Sequence, residues 1–128
     1  MSGNLMDTNV IVRVLNGDRD LVSKLSQMEG LCSCTVVLGE LLYGAEKSQR
    51  SEQNKQNAKS FCSRYPLIDI TDSVAEVYGY IKKELQSHGN IMPENDMWIA
   101  ASAIANDKTV ITQDKHFENI PNLNVIKM

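Results

Sequence analysis

The feature that most constrains this chain is the run Asn95-Asp96-Met97-Trp98-Ile99-Ala100-Ala101, followed after a short gap by Thr109-Val110-Ile111-Thr112-Gln113-Asp114. An apolar segment of helical length carries an acid at its head. It leads into a β-branched segment with another acid at its tip. Met97 to Ala105 is apolar on almost every face, so this helix is expected to be central rather than peripheral. A central helix feeding a β-branched strand fits a sheet covered by helices on both sides.

The rest of the chain repeats that alternation. Leu5-Met6 reads as a short strand running into the cap Asp7-Thr8-Asn9. Val10 to Leu15 is helical and stops at the turn Asn16-Gly17. Leu21, Val22, Leu25 and Met28 recur at helical spacing, and Gly30 ends that helix. Leu31 to Cys34 is strand-like, and Val36 to Lys47 carries a helical apolar stripe. Glu52 to Arg64 is a polar helix. Leu67 to Ile70 reads as a strand, and Thr71-Asp72-Ser73 caps an amphipathic helix ending near His88-Gly89-Asn90. Leu123 to Ile126 is a last short strand. The expected class is α/β, with a central, mainly parallel sheet flanked by α-helices in a single domain, 1–128.

Bulk properties narrow the function. The chain has 128 residues, 42% apolar and only 5% aromatic, so an aliphatic core is expected. No apolar run is long enough to span a bilayer, and Met1-Ser2-Gly3-Asn4 lacks the basic and apolar regions of a secretory leader. The expectation is a soluble, cytoplasmic protein with no membrane partner. The cysteines Cys32, Cys34 and Cys62 are odd in number and lack further ligands at metal spacing, so packing is their expected role.

The acids carry the chemistry. Asp7 and Asp114 sit where strands end, Asp96 lies in a first helical turn, and Glu40 interrupts the apolar run Val36 to Tyr43. In a parallel sheet, sites form outside the carboxyl ends of the strands, so all four can converge. Singly, Asp7 reads as a helix cap, Asp96 as a complement to the helix dipole and Asp114 as a turn residue. Glu40 resists such a reading, because an unpaired carboxylate is unfavourable there. Gly44, one turn on, leaves room beside it. Carboxylate-rich sites suit hard cations, Mg2+ or Mn2+, and such a site suits phosphoryl transfer by one or two ions.

Net charge is −3, but removing four metal-binding acids from the 16 leaves 12 against 13 Lys and Arg. Lys47, Arg50, Lys55, Lys59 and Arg64 crowd one window, which reads either as a phosphate-facing surface or as a solvated helix face.

With these residues in view, the chain resembles the PIN-domain nucleases, and within them the VapC-type toxins of toxin–antitoxin pairs. Leu5-Met6-Asp7-Thr8-Asn9, Glu40-Leu41-Leu42-Tyr43-Gly44, Asn95-Asp96 with Ile99-Ala100-Ala101, and Thr112-Gln113-Asp114 with Phe117 match the four motifs in order, across almost the whole chain. The resemblance implies a PIN fold. It implies Mg2+- or Mn2+-dependent endonucleolytic cleavage of structured RNA, a tRNA or ribosomal RNA loop, leaving a 3′-hydroxyl and a 5′-phosphate. It makes Asp7, Glu40, Asp96 and Asp114 the catalytic, metal-site acids, with Thr8, Asn9, Thr112 and Gln113 in support. It implies a homodimer, and a VapB-like antitoxin that wraps the toxin and inserts a residue among the acids, in assemblies of dimers or larger.

Arg13, Lys47, Arg50, Trp98 and Lys115 are the candidate RNA-binding residues. Trp98 is bulkier than usual for its place, which fits a base stack, core packing or a dimer contact. Gln113 stands where Asn is usual, which bears on the geometry around the acids. Cys34 and Val37 stand where Ser and Thr are common, removing a hydroxyl contact. The other readings are a non-catalytic PIN-like RNA-binding module, a haloacid-dehalogenase-like phosphatase and a receiver domain. Asp7-Thr8-Asn9 lacks the second acid of the phosphatase motif, and the helix-borne Glu40 fits a receiver poorly.

Overall fold

The computed structural model describes residues 3–128, so Met1-Ser2 of the leader reading lie outside the described residues. Five strands form one sheet: β1 (Asn4–Met6), β2 (Leu31–Cys34), β3 (Leu67–Ile68), β4 (Thr109–Thr112) and β5 (Val125–Lys127). Their order is β3-β2-β1-β4-β5 and every pairing is parallel. The register sets Asn4 beside both Leu31 and Thr109, and Met6 beside Ile111.

Six α-helices connect the strands: α1 (Thr8–Leu15), α2 (Arg19–Leu25), α3 (Thr35–Lys47), α4 (Ser51–Cys62), α5 (Asp72–Ser87) and α6 (Glu94–Ala105). A 3-10 helix, Lys115–Asn119, was not expected from the sequence. Its anchor is Phe117, wholly buried under the loop after β4. Among the described residues, no helix is long and apolar enough to cross a membrane.

The core explains the layering. Leu5 and Met6 on β1 and Val110 and Ile111 on β4 are fully buried, as strands covered on both faces require. Helix α6 buries Met97, Ile99, Ala100, Ala101, Ser102 and Ala103, half of its residues and spread around the axis. It is the central helix expected, with α5 packed along it and α3 touching it. Small Ala side chains let those neighbours approach closely. Cys32, Cys34 and Cys62 are buried and unbonded, in keeping with packing. Burial pushes the Cys34 thiol up to about 11.

Element ends differ from expectation where a partner runs out. β3 stops at Ile68 rather than Ile70, because β2 passes into α3 with no intervening loop. The Thr35 hydroxyl at that corner donates to the Ile68 carbonyl at 3.2 Å. α2 ends at Leu25, and Met28 reaches the core from the turn beyond it. β5 starts at Val125, because Asn122 turns the chain with φ of 65° first. Gly17, with φ of 90°, makes the expected stop after α1.

The topology fixes where a site can form. From β1 the chain moves to β2 and β3 on one side, then returns to β4 on the other. The carboxyl ends of β1 and β4 therefore flank a switch point, where the flanking connections diverge and leave a crevice.

Candidate active site

Asp7 follows the last residue of β1 and caps α1, so strand and helix fix its backbone together. Its Oδ1 accepts the Thr8 backbone N–H at 2.8 Å. Its Oδ2 accepts the Thr112 hydroxyl at 2.7 Å and the Asn9 amide at 3.1 Å. The carboxylate is 3% exposed. The cap reading and the site reading of Asp7 thus describe the same residue. Burial raises its pKa most, the Thr112 and Thr8 hydrogen bonds oppose that, and the charges of Glu40 and Asp114 raise it further.

Thr112 ties the two central strands together at the rim. Besides serving Asp7, its hydroxyl oxygen accepts the Asp114 N–H at 2.9 Å. Asn9 spans the same gap, its side-chain carbonyl accepting the Gln113 N–H at 3.1 Å. Gln113 enters this web through its backbone, and its amide side chain is exposed. The longer side chain in place of Asn is therefore accommodated without disturbing that bond.

Glu40 reaches the rim from α3. Its Oε1 accepts the Thr8 hydroxyl at 2.5 Å and its Oε2 accepts the Asn95 amide at 3.2 Å. Asp96 lies one residue on, in the first turn of α6. Its pKa is pushed up to about 6, first by burial and then by the charges of Asp7, Glu40 and Asp114, with His116 pulling the other way. Three acids act on a fourth, so all four share one electrostatic neighbourhood. They line a single open cleft of about 410 Å³ together with Thr8, Asn9, Arg13 and Gln113.

The cleft suits a hard cation by the chemistry of its donors, which are carboxylate oxygens held by hydroxyl and amide groups. The side chains do not converge on one point: among the described residues no three acidic, His or Cys side chains stand at ion-holding spacing. Like charges in a half-buried cleft repel. Here Glu40 is drawn toward Thr8 and Asn95, and Asp114 toward the His116 N–H at 2.9 Å.

Two contributors escaped the sequence reading. Asn95 orients Glu40, and only its adjacency to Asp96 pointed to it. The His116 ring lies 2.7 Å from Asp114; two residues along a 3-10 turn carried no signal by themselves.

The expected RNA contacts fare unevenly. Arg13 lines the cleft, but its guanidinium is held by Asp18 at 2.9 Å and by the Met128 carbonyl at 2.7 Å. Lys47 lies in a cavity next to the acids. Lys115 is exposed just beyond Asp114. Arg50 precedes α4 and lines neither cavity. Trp98 is half-buried and stacks on Tyr78 at 3.9 Å and 5°, so packing accounts for it. The basic window is partly neutralised, since Lys55 pairs with Glu46 at 2.6 Å and Glu52 at 3.3 Å.

The PIN-domain family model matches residues 5–123. The chain is 36% identical over 124 residues to Ribonuclease VapC2 of Rickettsia felis, covering 93% of this chain and 92% of that protein. It is 31% identical over 122 residues to the tRNA(fMet)-specific endonuclease VapC of Shigella flexneri, covering 93% and 92%. The fold matches a chain of VapBC2 from Rickettsia felis, solved bound to a DNA fragment from their promoter, with a TM-score of 0.88, 32% identity and 98% of both chains covered. With its parallel sheet, its rim of acids and these likenesses along nearly its whole length, the chain belongs to the PIN-domain family, among the VapC-type ribonucleases.

Proposed function

We propose that this protein is a metal-dependent endoribonuclease toxin that hydrolyses a phosphodiester bond in a structured RNA, a tRNA or ribosomal RNA loop. The observation that carries this reading is the shared cleft, in which Asp7, Glu40 and Asp114 all raise the pKa of Asp96. Four carboxylates in one cleft make a costly arrangement unless a cation joins them.

Asp7, Glu40, Asp96 and Asp114 would hold Mg2+ or Mn2+. When bound, such a cation supplies charge that eases the loss of a proton from water and offsets negative charge building on the phosphate. Thr112 and Asn9 hold the Asp7 carboxylate in one orientation, and Thr8 and Asn95 hold Glu40. In the reaction, a water oxygen bonds to phosphorus and the bond to the 3′ oxygen breaks. The 3′ oxygen takes up a proton, leaving a 3′-hydroxyl and a 5′-phosphate.

A VapB-like antitoxin is the inferred partner, supported by the likeness to the VapBC2 chain. A homodimer, larger assemblies with antitoxin, and action in the cytoplasm belong to the same proposal.

The test is sequencing of RNA 5′ ends after brief induction of the parent and of Asp96→Asn in the same cells. New ends at one or a few sites, lost with the variant, are expected. No new ends from folded, antitoxin-free parent protein would reject the nuclease and favour a non-catalytic RNA-binding module.

A further inference from the structure

A second cavity, of about 710 Å³, adjoins the acid cleft, and Thr8 and Glu40 line both. Its other wall comes from α3. Tyr43 lies one turn beyond Glu40, about 4.5 Å along the helix axis. It is 64% exposed. Lys47, one further turn on, sets its ammonium 4.5 Å from the centre of the Tyr43 ring. Gly39 and Gly44 line the same cavity, and a Cβ at either would meet nothing within 4 Å. The helix thus presents a largely exposed aromatic ring with a cation over one face, in a cavity continuous with the acids.

We infer that this groove is the subsite for one unpaired nucleotide next to the scissile phosphate, its base stacked on Tyr43 and its phosphate met by Lys47. The inference rests on the reading of the acid cleft as the site of RNA cleavage. A strand seated over the acids must leave the cleft along a surface that tolerates phosphate. Arg13 on another wall is already engaged by Asp18 and Met128, whereas no acid pairs with Lys47 among the described contacts. Stacking requires a base free of its pairing partner, which loops supply and duplexes do not. The aromatic platform is therefore Tyr43, 64% exposed with Lys47 over one face, and not Trp98, which is half-buried and stacked on Tyr78. A purely apolar partner would gain nothing from the Lys47 charge or from the polar edge made by Thr8 and Asn95.

The experiment uses a short single-stranded oligouridylate carrying one 2-aminopurine, whose fluorescence is quenched when the base stacks. It is titrated in Mg2+ with the full chain on an Asp96→Asn background. Quenching by the Tyr43 protein, preserved in Tyr43→Phe and lost in Tyr43→Ala with roughly tenfold weaker binding, is expected. Lys47→Met is expected to weaken binding and flatten its salt dependence while leaving the quench at saturation. No quenching by the parent background, or equal quenching by Tyr43→Ala, overturns the inference. So does a Tyr43→Ala loss that tracks dissociation of a dimer in sedimentation, because the patch would then cover a second copy. Cleavage of total RNA by the protein with Asp96 intact is measured alongside. Cleavage without quenching overturns this inference alone; quenching without cleavage overturns the nuclease reading and, with it, the subsite's place beside a scissile phosphate.

Discussion

Glu94 and Asp96 stand two residues apart in the first turn of α6, and their surroundings are opposite. Glu94 faces outward onto α5. It accepts a hydrogen bond from the Tyr78 hydroxyl and pairs with Lys82 at 2.8 Å. Those partners, Lys82 first, hold its carboxyl below the usual range. Asp96 turns inward to the crevice between β1 and β4, where burial and three other acids push it up to about 6. The same helix dipole favours both. One carboxylate is satisfied by its neighbours and joins two helices; the other is made costly by them. Glu94 is paired with an opposite charge, whereas the clustered acids of the cleft are the ones to which the proposed function assigns a cation.

The largest expected effect comes from cutting the web that holds the costly side together. Thr112→Val removes the donor to Asp7 and the acceptor for the Asp114 N–H. It is expected to weaken Mg2+ binding by about 10- to 100-fold, measured by calorimetry, with Thr112→Ser close to the parent. Equal affinity in the Val variant would show that the hydroxyl is only a strand tie.

Asp96→Asn sharpens the contrast through stability. The folded-state pKa of Asp96 lies above its ordinary 3.8. Between that value and about 6 the folded chain binds more protons than the unfolded one, so metal-free stability falls as pH rises through this window. In EDTA at pH 7, Asp96→Asn is expected to gain about 1 kcal/mol after allowance for solvent screening. The gain should vanish below about pH 4, as urea melts at several pH values would show. A loss of stability at pH 7 would contradict the unfavourable placement.

The smallest effect is expected on the paired side. Glu94→Gln should lower the melting temperature slightly, less so in high salt, and leave RNA cleavage unchanged. A fall in cleavage comparable to that of an acid in the cleft would erase the distinction between the two carboxylates.

Much of this was legible beforehand because it is local. Hydrophobic periodicity marked most of the α-helices, and a β-branched run marked β4, while the 3-10 helix after it carried no such signal. A cap such as Asp7 and a turn such as Asn16-Gly17 are decided by neighbours in the chain. The convergence of Asp7, Glu40, Asp96 and Asp114 followed from a rule of topology, since strand ends in a parallel sheet share one rim. Less legible were the end of β3, set by where β2 passes into α3, and the start of β5, set by the turn at Asn122.

The sequence by itself determined the class of fold and the central place of α6, because alternating periodicities leave few other solutions, and it named the four acids that the fold brings to one cleft. Only the tertiary structure decided how the remaining side chains are used. It gave Trp98 a partner in Tyr78 and left Tyr43 exposed under the Lys47 ammonium, tied Arg13 to Asp18, and set Asn95 and His116 against the acids. The physical reason is distance along the chain. Whether an aromatic ring or a charge is free depends on what residues far away in sequence bring to it, and no local pattern records that.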